Sequence, residues 1–182
     1  MTRAATLLAL VLLFLPVAPA SVEAQTERPI QVALLSPIQA FPASDAVRGL
    51  RLSLLYGKNT DVRGVDLGLV SHVTGDFVGV QWSFVGVIEG DARGIQFGGV
   101  NLTRGALQGA QLGPVNSAGG GEGLQWGAVN HTRNLRGLQI AFVNYAERLE
   151  GVQLGLVNII RNGGVLPVMP FINWSFDETE AR

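Results

Sequence analysis

Six glutamines and five asparagines recur in this chain at almost constant spacing. The glutamines are Gln81, Gln96, Gln111, Gln125, Gln139 and Gln153; the asparagines are Asn101, Asn116, Asn130, Asn144 and Asn158. A primary amide is neither a nucleophile nor a base, but it carries two donors and one acceptor. A row of amides can therefore line a narrow polar lumen or bond to itself inside a packed interior. The second reading is preferred, because buried amides must be paired. Other residue types give no site. His72 and His131 each stand just beyond a repeat strand without further ligands at short spacing, so they read as solvated turn residues rather than a metal site. Asp61, Asp76 and Asp91 lack the dense Asp/Asn run of a calcium loop and read as turn formers. Gly119–Gly121 is followed by neither the lysine nor the helix of a phosphate loop. The serines carry no local signature of a nucleophile. The sequons at Asn101, Asn130 and Asn173 are by-products of the asparagine that ends each strand. No catalytic, cofactor-binding or metal residue is assigned, and a non-enzymatic protein is expected.

The elements that position the amides follow from a repeated phrase, Gly-aliphatic-Gln-apolar-Gly-x-Val-Asn. It reads GVDLGLVS from Gly64, GVQWSFVG from Gly79, GIQFGGVN from Gly94 and GAQLGPVN from Gly109. It continues as GLQWGAVN from Gly123, GLQIAFVN from Gly137 and GVQLGLVN from Gly151. A looser copy begins at Gly49 and a divergent one at Gly164. A fixed short period means one structural unit used many times. Apolar residues alternate with Gly and Gln, the period of a strand, and glycines this frequent are incompatible with helix. One face is small and regular. The other is bulky, with Trp82, Phe84, Phe97, Trp126 and Phe142.

Two arrangements accommodate such units: an antiparallel up-and-down meander, or a β-solenoid of 14–15-residue coils. The meander is preferred on turn chemistry. Placing Ser71 across from Val80 and Gly86 from Ile95 centres the turns on Gly75-Asp76 and Gly90-Asp91, dipeptides suited to hairpins. That register also sets Pro114 opposite Trp126, where its missing amide hydrogen fits poorly. A ten-residue strand, moreover, is not retraced by the four or five residues left in each unit. With Ile30–Ser36 and Val165–Phe176 added, about ten strands result, and closure into a small barrel removes the open edges. Its bulky face would meet membrane lipid, with Gly and Gln inside.

Composition bounds the rest. The chain has 182 residues, a net charge of −1 and only 15% charged residues. No basic patch therefore supports nucleic-acid binding. With no cysteine, disulfides, thiolate metal sites and a cysteine nucleophile are excluded. Residues 1–24 read as a secretory signal peptide: Arg3, the apolar run Ala4–Val17, and Val22-Glu23-Ala24 before Gln25. Residues 25–48 form a lead-in strand and loop, 49–176 the repeat-built domain, and 177–182 a polar tail.

The G-L-Q-x-G-x-V-N phrase, the lead-in PIQVALLSPIQAFP and the closing LPVMPFINWSF resemble a family of exported bacterial surface-repeat proteins. The family is defined by its repeat and has no established activity. The resemblance spans about Ile30 to Phe176; Asp66 at the Gln position, with Ser71 and Gly86 at the Asn position, depart from the pattern. It implies a bacterial cell-surface or envelope location. Together with the lipid-facing barrel, the expectation is an outer-membrane or cell-surface protein with a structural role in the envelope and membrane lipid as its partner. The alternative is a secreted or periplasmic binding module for an apolar ligand or a protein, with its apolar face turned inward.

Overall fold

The computed structural model describes residues 26–176; the expected signal peptide and the polar tail lie outside them. Every element described is a strand: β1 (Glu27–Leu35), β2 (Ile38–Gln39), β3 (Ala46–Asn59), β4 (Val62–Val73), β5 (Phe77–Ile88) and β6 (Ala92–Phe97). They continue as β7 (Val100–Leu112), β8 (Val115–Trp126), β9 (Val129–Ile140), β10 (Val143–Asn162) and β11 (Val168–Ser175).

The all-β expectation holds, but the meander and the closed barrel do not. From β3 to β10 the repeat copies pair parallel and in register, so the protein is a β-solenoid. Gly64 lies beside Gly79, Gln81 beside Gln96, and Gln125 beside Gln139. Ser71 pairs with Gly86 rather than Val80, and Gly86 with Asn101 rather than Ile95. A ten-residue run need not be retraced by the rest of its unit, because it bends in its middle and supplies both legs of a coil. In β4 and β5, for example, Val62–Gly68 pairs with Phe77–Ser83 on one leg and Val70–Val73 with Val85–Ile88 on the other. The Gly75-Asp76 and Gly90-Asp91 turns are real, but they are coil corners. Gly75 donates its amide to Thr60 of the coil before, and Gly90 to Gly75.

Two features of the sequence explain why parallel stacking wins. The eight leading glycines from Gly49 to Gly151 have φ between 125° and 150°, a region that L-residues rarely enter. At Gly109 an added Cβ would collide with the carbonyl oxygen of Gly94 on the preceding coil. The repeat also shortens along the chain: Gln111 bonds a partner 15 residues back, whereas Gln125 bonds one 14 residues back. This step is accommodated at one place. The register shifts between Thr103 and Ala106, where one corner residue is lost. Pro114 falls at the opposite corner, where it needs no amide hydrogen; its carbonyl accepts from Ala128 and Val129.

The interior holds apolar side chains toward one edge and amides toward the other. Val47, Val62, Phe77, Ala92 and Leu107 form a buried column, facing Val73, Ile88 and Ala118; Leu135, Ala146, Leu149 and Ile160 continue the core. Large and small residues alternate along the first column (Phe77, Ala92, Leu107), as close packing between coils requires. The ends of the stack are open edges rather than a closed seam. β11 runs antiparallel on β10 with a shift between Gly155 and Asn158, and Pro167 and Pro170 lie in or beside it. Pro29 lies in β1 at the other end. Proline at both edges blunts further strand addition.

Candidate docking surface

All eleven recurrent amide residues are buried, and they form two ladders of opposite direction. Along the glutamine row each side-chain nitrogen donates to the oxygen of the coil before. Gln96 bonds Gln81 at 2.8 Å, Gln111 bonds Gln96 at 2.8 Å, and Gln139 bonds Gln125 at 2.6 Å. The second hydrogen crosses the interior to the facing leg, as from Gln125 Nε2 to the His131 carbonyl at 3.2 Å. Along the asparagine row the direction reverses: Asn116 donates to Asn130 and Asn130 to Asn144, each at 2.9 Å. Asn116, Asn130, Asn144 and Asn158 also satisfy backbone carbonyls, as Asn116 does for Gly113 and Trp126. The amides stack directly, each beside its register partner on the next coil. Self-pairing leaves no polar lumen. The ladder ends show the polarity, because Gln153 Oε1 and Asn101 Oδ1, at the two acceptor termini, have no partner.

The departures from the repeat are the terminator of the glutamine ladder. Ionised Asp66 can only accept. It takes the Gln81 amide at 2.8 Å, the Ser71 hydroxyl at 3.2 Å and a two-pronged bond from Arg51 at 2.8 and 2.6 Å. Both Arg51 and Asp66 are fully buried. The signal was present in the sequence as an arginine and an aspartate at successive glutamine positions.

The remaining polar groups do not converge on a reactive centre. His72 bridges the Tyr56 hydroxyl at 2.9 Å and Glu89 at 2.8 Å, and the bond to Glu89 lowers that carboxyl's pKa below its ordinary value. His131 stacks on Tyr145, and a hydrogen bond to the Tyr145 hydroxyl raises the Arg161 pKa. The two histidines are four coils apart. At the usual strand spacing that is roughly 19 Å. The aspartates stitch the polar corner: Asp61 accepts the Asp76 amide at 2.7 Å and Asp76 the Asp91 amide at 2.9 Å. A polar cleft of about 580 Å³ lies beside Arg136, whose charge is met by Glu150 at 2.8 Å and Glu122 at 3.6 Å. Among the described residues no group of three or more His, Cys, Asp or Glu could hold a metal.

What stands out is the outside of the corner opposite the aspartates. Because the amides occupy the interior there, the bulky side chains point outward. Trp82 is 69% exposed, Phe84 64% and Phe142 65%. Around this corner the outward positions of every coil are uncharged, for example Val80, Trp82, Phe84 and Val85 in one coil and Leu138, Ile140, Phe142 and Val143 in another. The result is an apolar ridge running the length of the stack. Polarity rises away from its tip. Tyr56, His72, His131 and Tyr145 lie on one flank, and Arg63, Arg93, Arg136 and Glu150 lie near the polar corner. This surface is far larger than the single exposed apolar residues that soluble proteins commonly show.

No family model, curated protein or solved structure matches this chain.

Proposed function

We propose that the protein is an exported, non-enzymatic component of a bacterial envelope that lies edge-on against membrane lipid through the apolar ridge. The observation that carries this reading is the ridge itself, apolar across every repeat coil and capped by exposed Trp82, Phe84, Trp126 and Phe142. The side chains grade as at a water–lipid boundary: aliphatic and aromatic groups along the ridge, tyrosines and histidines on one flank, and arginines near the polar corner. Interfacial proteins favour such a gradient because aromatic groups suit the headgroup level and charged groups need water. Stacked coils enclose no pore, so lipid contact rests on a surface that touches one leaflet. The inward-facing apolar module also finds no support, because the bulky residues face out. The leader-like residues 1–24 and the resemblance to exported repeat proteins support the envelope location.

The charged corner carries both signs, and the whole chain has a net charge of −1. Attachment should therefore need no anionic lipid and should survive screening by salt. Flotation with phosphatidylcholine vesicles tests the proposal. The protein should float with the vesicles at low and high salt, and lipids brominated on their acyl chains should quench Trp82 and Trp126. A protein that stays at the bottom of the gradient, with unquenched tryptophan, rejects it.

A further inference from the structure

We propose that the polar corner of the solenoid is a self-complementary interface through which two copies pair side by side, antiparallel. Eight coil tips line this corner, stacked in register. The first three (residues 60–61, 74–76 and 89–91) carry Asp61, Asp76, Glu89 and Asp91, with no arginine or lysine. The other five (residues 104–106, 119–120, 133–134, 147–148 and 161–162) carry Arg104, Arg133, Arg148 and Arg161 against the single acid Glu147. The corner therefore changes sign along the stack, acidic at its start and basic toward its end. The four arginines are exposed, as are Asp76 and Asp91. Asp76 and Asp91 each engage one oxygen with a backbone amide of the following coil. A carboxylate has two oxygens, so acceptor capacity and charge remain for a partner.

The order of the signs selects that partner. A two-fold axis between the fourth and fifth tips makes an isologous contact, setting the first tip on the eighth and the second on the seventh. Asp61 then meets Arg161, Asp76 meets Arg148, and Glu89 with Asp91 meets Arg133. The two-fold repeats these three matches, which makes six. Arg104 meets only Gly119 and Gly120, which oppose it with no side chain. In the row behind the tips Arg93 comes nearest Arg136, whose charge Glu122 and Glu150 already meet. A parallel pair would set like charge on like, and a partner of one uniform sign would be repelled by part of the corner. A second copy, reversed, presents the required order by construction.

Exposed ion pairs are individually weak, so the dimer should be reversible and sensitive to salt. Because the corner lies opposite the apolar ridge, pairing leaves both ridges facing outward. On the lipid reading above, each dimer then joins two lipid surfaces, although the pairing itself needs no lipid.

Sedimentation of the full chain without lipid tests the pairing, so its failure is separate from any failure of vesicle flotation. Wild type should show a monomer–dimer equilibrium at low salt and monomer alone at about 1 M salt, where the screening length is about 3 Å. Arg133→Glu/Arg148→Glu makes four of the six matches repulsive. It should weaken dimerisation about tenfold or more. Arg133→Lys/Arg148→Lys keeps the sign and should stay within about threefold of wild type. Cysteine cross-linking reads the orientation, since the chain has no native cysteine. Ala106→Cys, beside the two-fold, should give a disulfide-linked dimer on mild oxidation. Asn162→Cys should not, because seven coil spacings of ~4.8 Å put it roughly 34 Å from its counterpart. Wild type that stays monomeric at low salt, a dimer that survives high salt, or cross-linking through Asn162→Cys rather than Ala106→Cys overturns the proposal.

Discussion

Substitution of Asp66 by asparagine should be among the most damaging single changes in the molecule, although it removes no atom from the packing. Asp66 and Arg51 are both wholly buried, and the carboxylate receives two of the guanidinium's bonds while closing the glutamine ladder through Gln81. Asp66→Asn keeps an acceptor for Gln81 but leaves the Arg51 charge in the interior without its counter-charge. Breaking a buried pair in this way costs about 3–5 kcal/mol. With a urea dependence of about 2 kcal/mol per molar, the unfolding midpoint should fall by about 2 M. Arg51→Gln strands the opposite charge and should cost a similar amount. The double variant Arg51→Gln/Asp66→Gln carries the repeat's own residue at both positions, so the ladder can run on through them. It should return to within about 1 kcal/mol of wild type, since buried ion pairs are commonly replaceable by well-satisfied uncharged groups. Urea titration followed by far-ultraviolet circular dichroism reads all four proteins. An Asp66→Asn midpoint within about 0.5 M of wild type, or a double variant no better than the worse single, would refute the assignment of this pair as the ladder's terminator.

Two further outcomes follow from the same geometry. Gly109→Ala adds a methyl group where φ is 137° and the Gly94 carbonyl is already in contact range. It should destabilise by about 2 kcal/mol or more, seen as a lowered thermal midpoint. The His72 hydrogen bond lowers the Glu89 pKa. Its contribution is therefore present above the unfolded carboxylate value and is lost as pH falls through the folded one. His72→Ala should move the Glu89 carboxyl resonance to a higher titration midpoint in carbon-detected NMR; an unmoved midpoint would show that the contact does not form in solution.

The composition of each coil was readable from the chain, but the direction of travel was not. Alternation around Gln81, Gln96 and Gln111 separates a small amide-bearing face from a bulky one under either topology, which is why the buried amides and outward Trp82 and Trp126 could be anticipated. Gly75-Asp76 turns the chain in both arrangements, so the corner chemistry could not discriminate between them. The discriminating signal lay in the leading glycines and in the amide repeat. Gly94 and Gly109 need a backbone conformation that a regular hairpin strand does not use, and identical amides bond best when stacked directly. The docking surface was legible only in part. Phe84, Phe97 and Phe142 were visible as bulky residues, but a ridge requires the bend at Gly68, Ser83 or Gly127 that gathers both legs' outward residues onto one edge. Asp66 looked like drift from the pattern until Arg51 was seen beside it.

The parallel stacking of coils is the premise on which the ladders and the ridge both depend, and a cysteine pair tests it directly. The chain has no native cysteine, so Val80→Cys/Ile95→Cys introduces a single possible bridge. In the solenoid these positions are register partners on adjacent coils. That places them within the Cα separation of about 4.4–6.8 Å that a disulfide needs. Mild oxidation should close the bridge nearly completely in the folded monomer, detected as a mobility shift on non-reducing gels. In an antiparallel meander Ile95 faces Gly86, which leaves Val80 roughly 20 Å away along the strand. A folded protein whose two thiols stay free under oxidation would contradict the account.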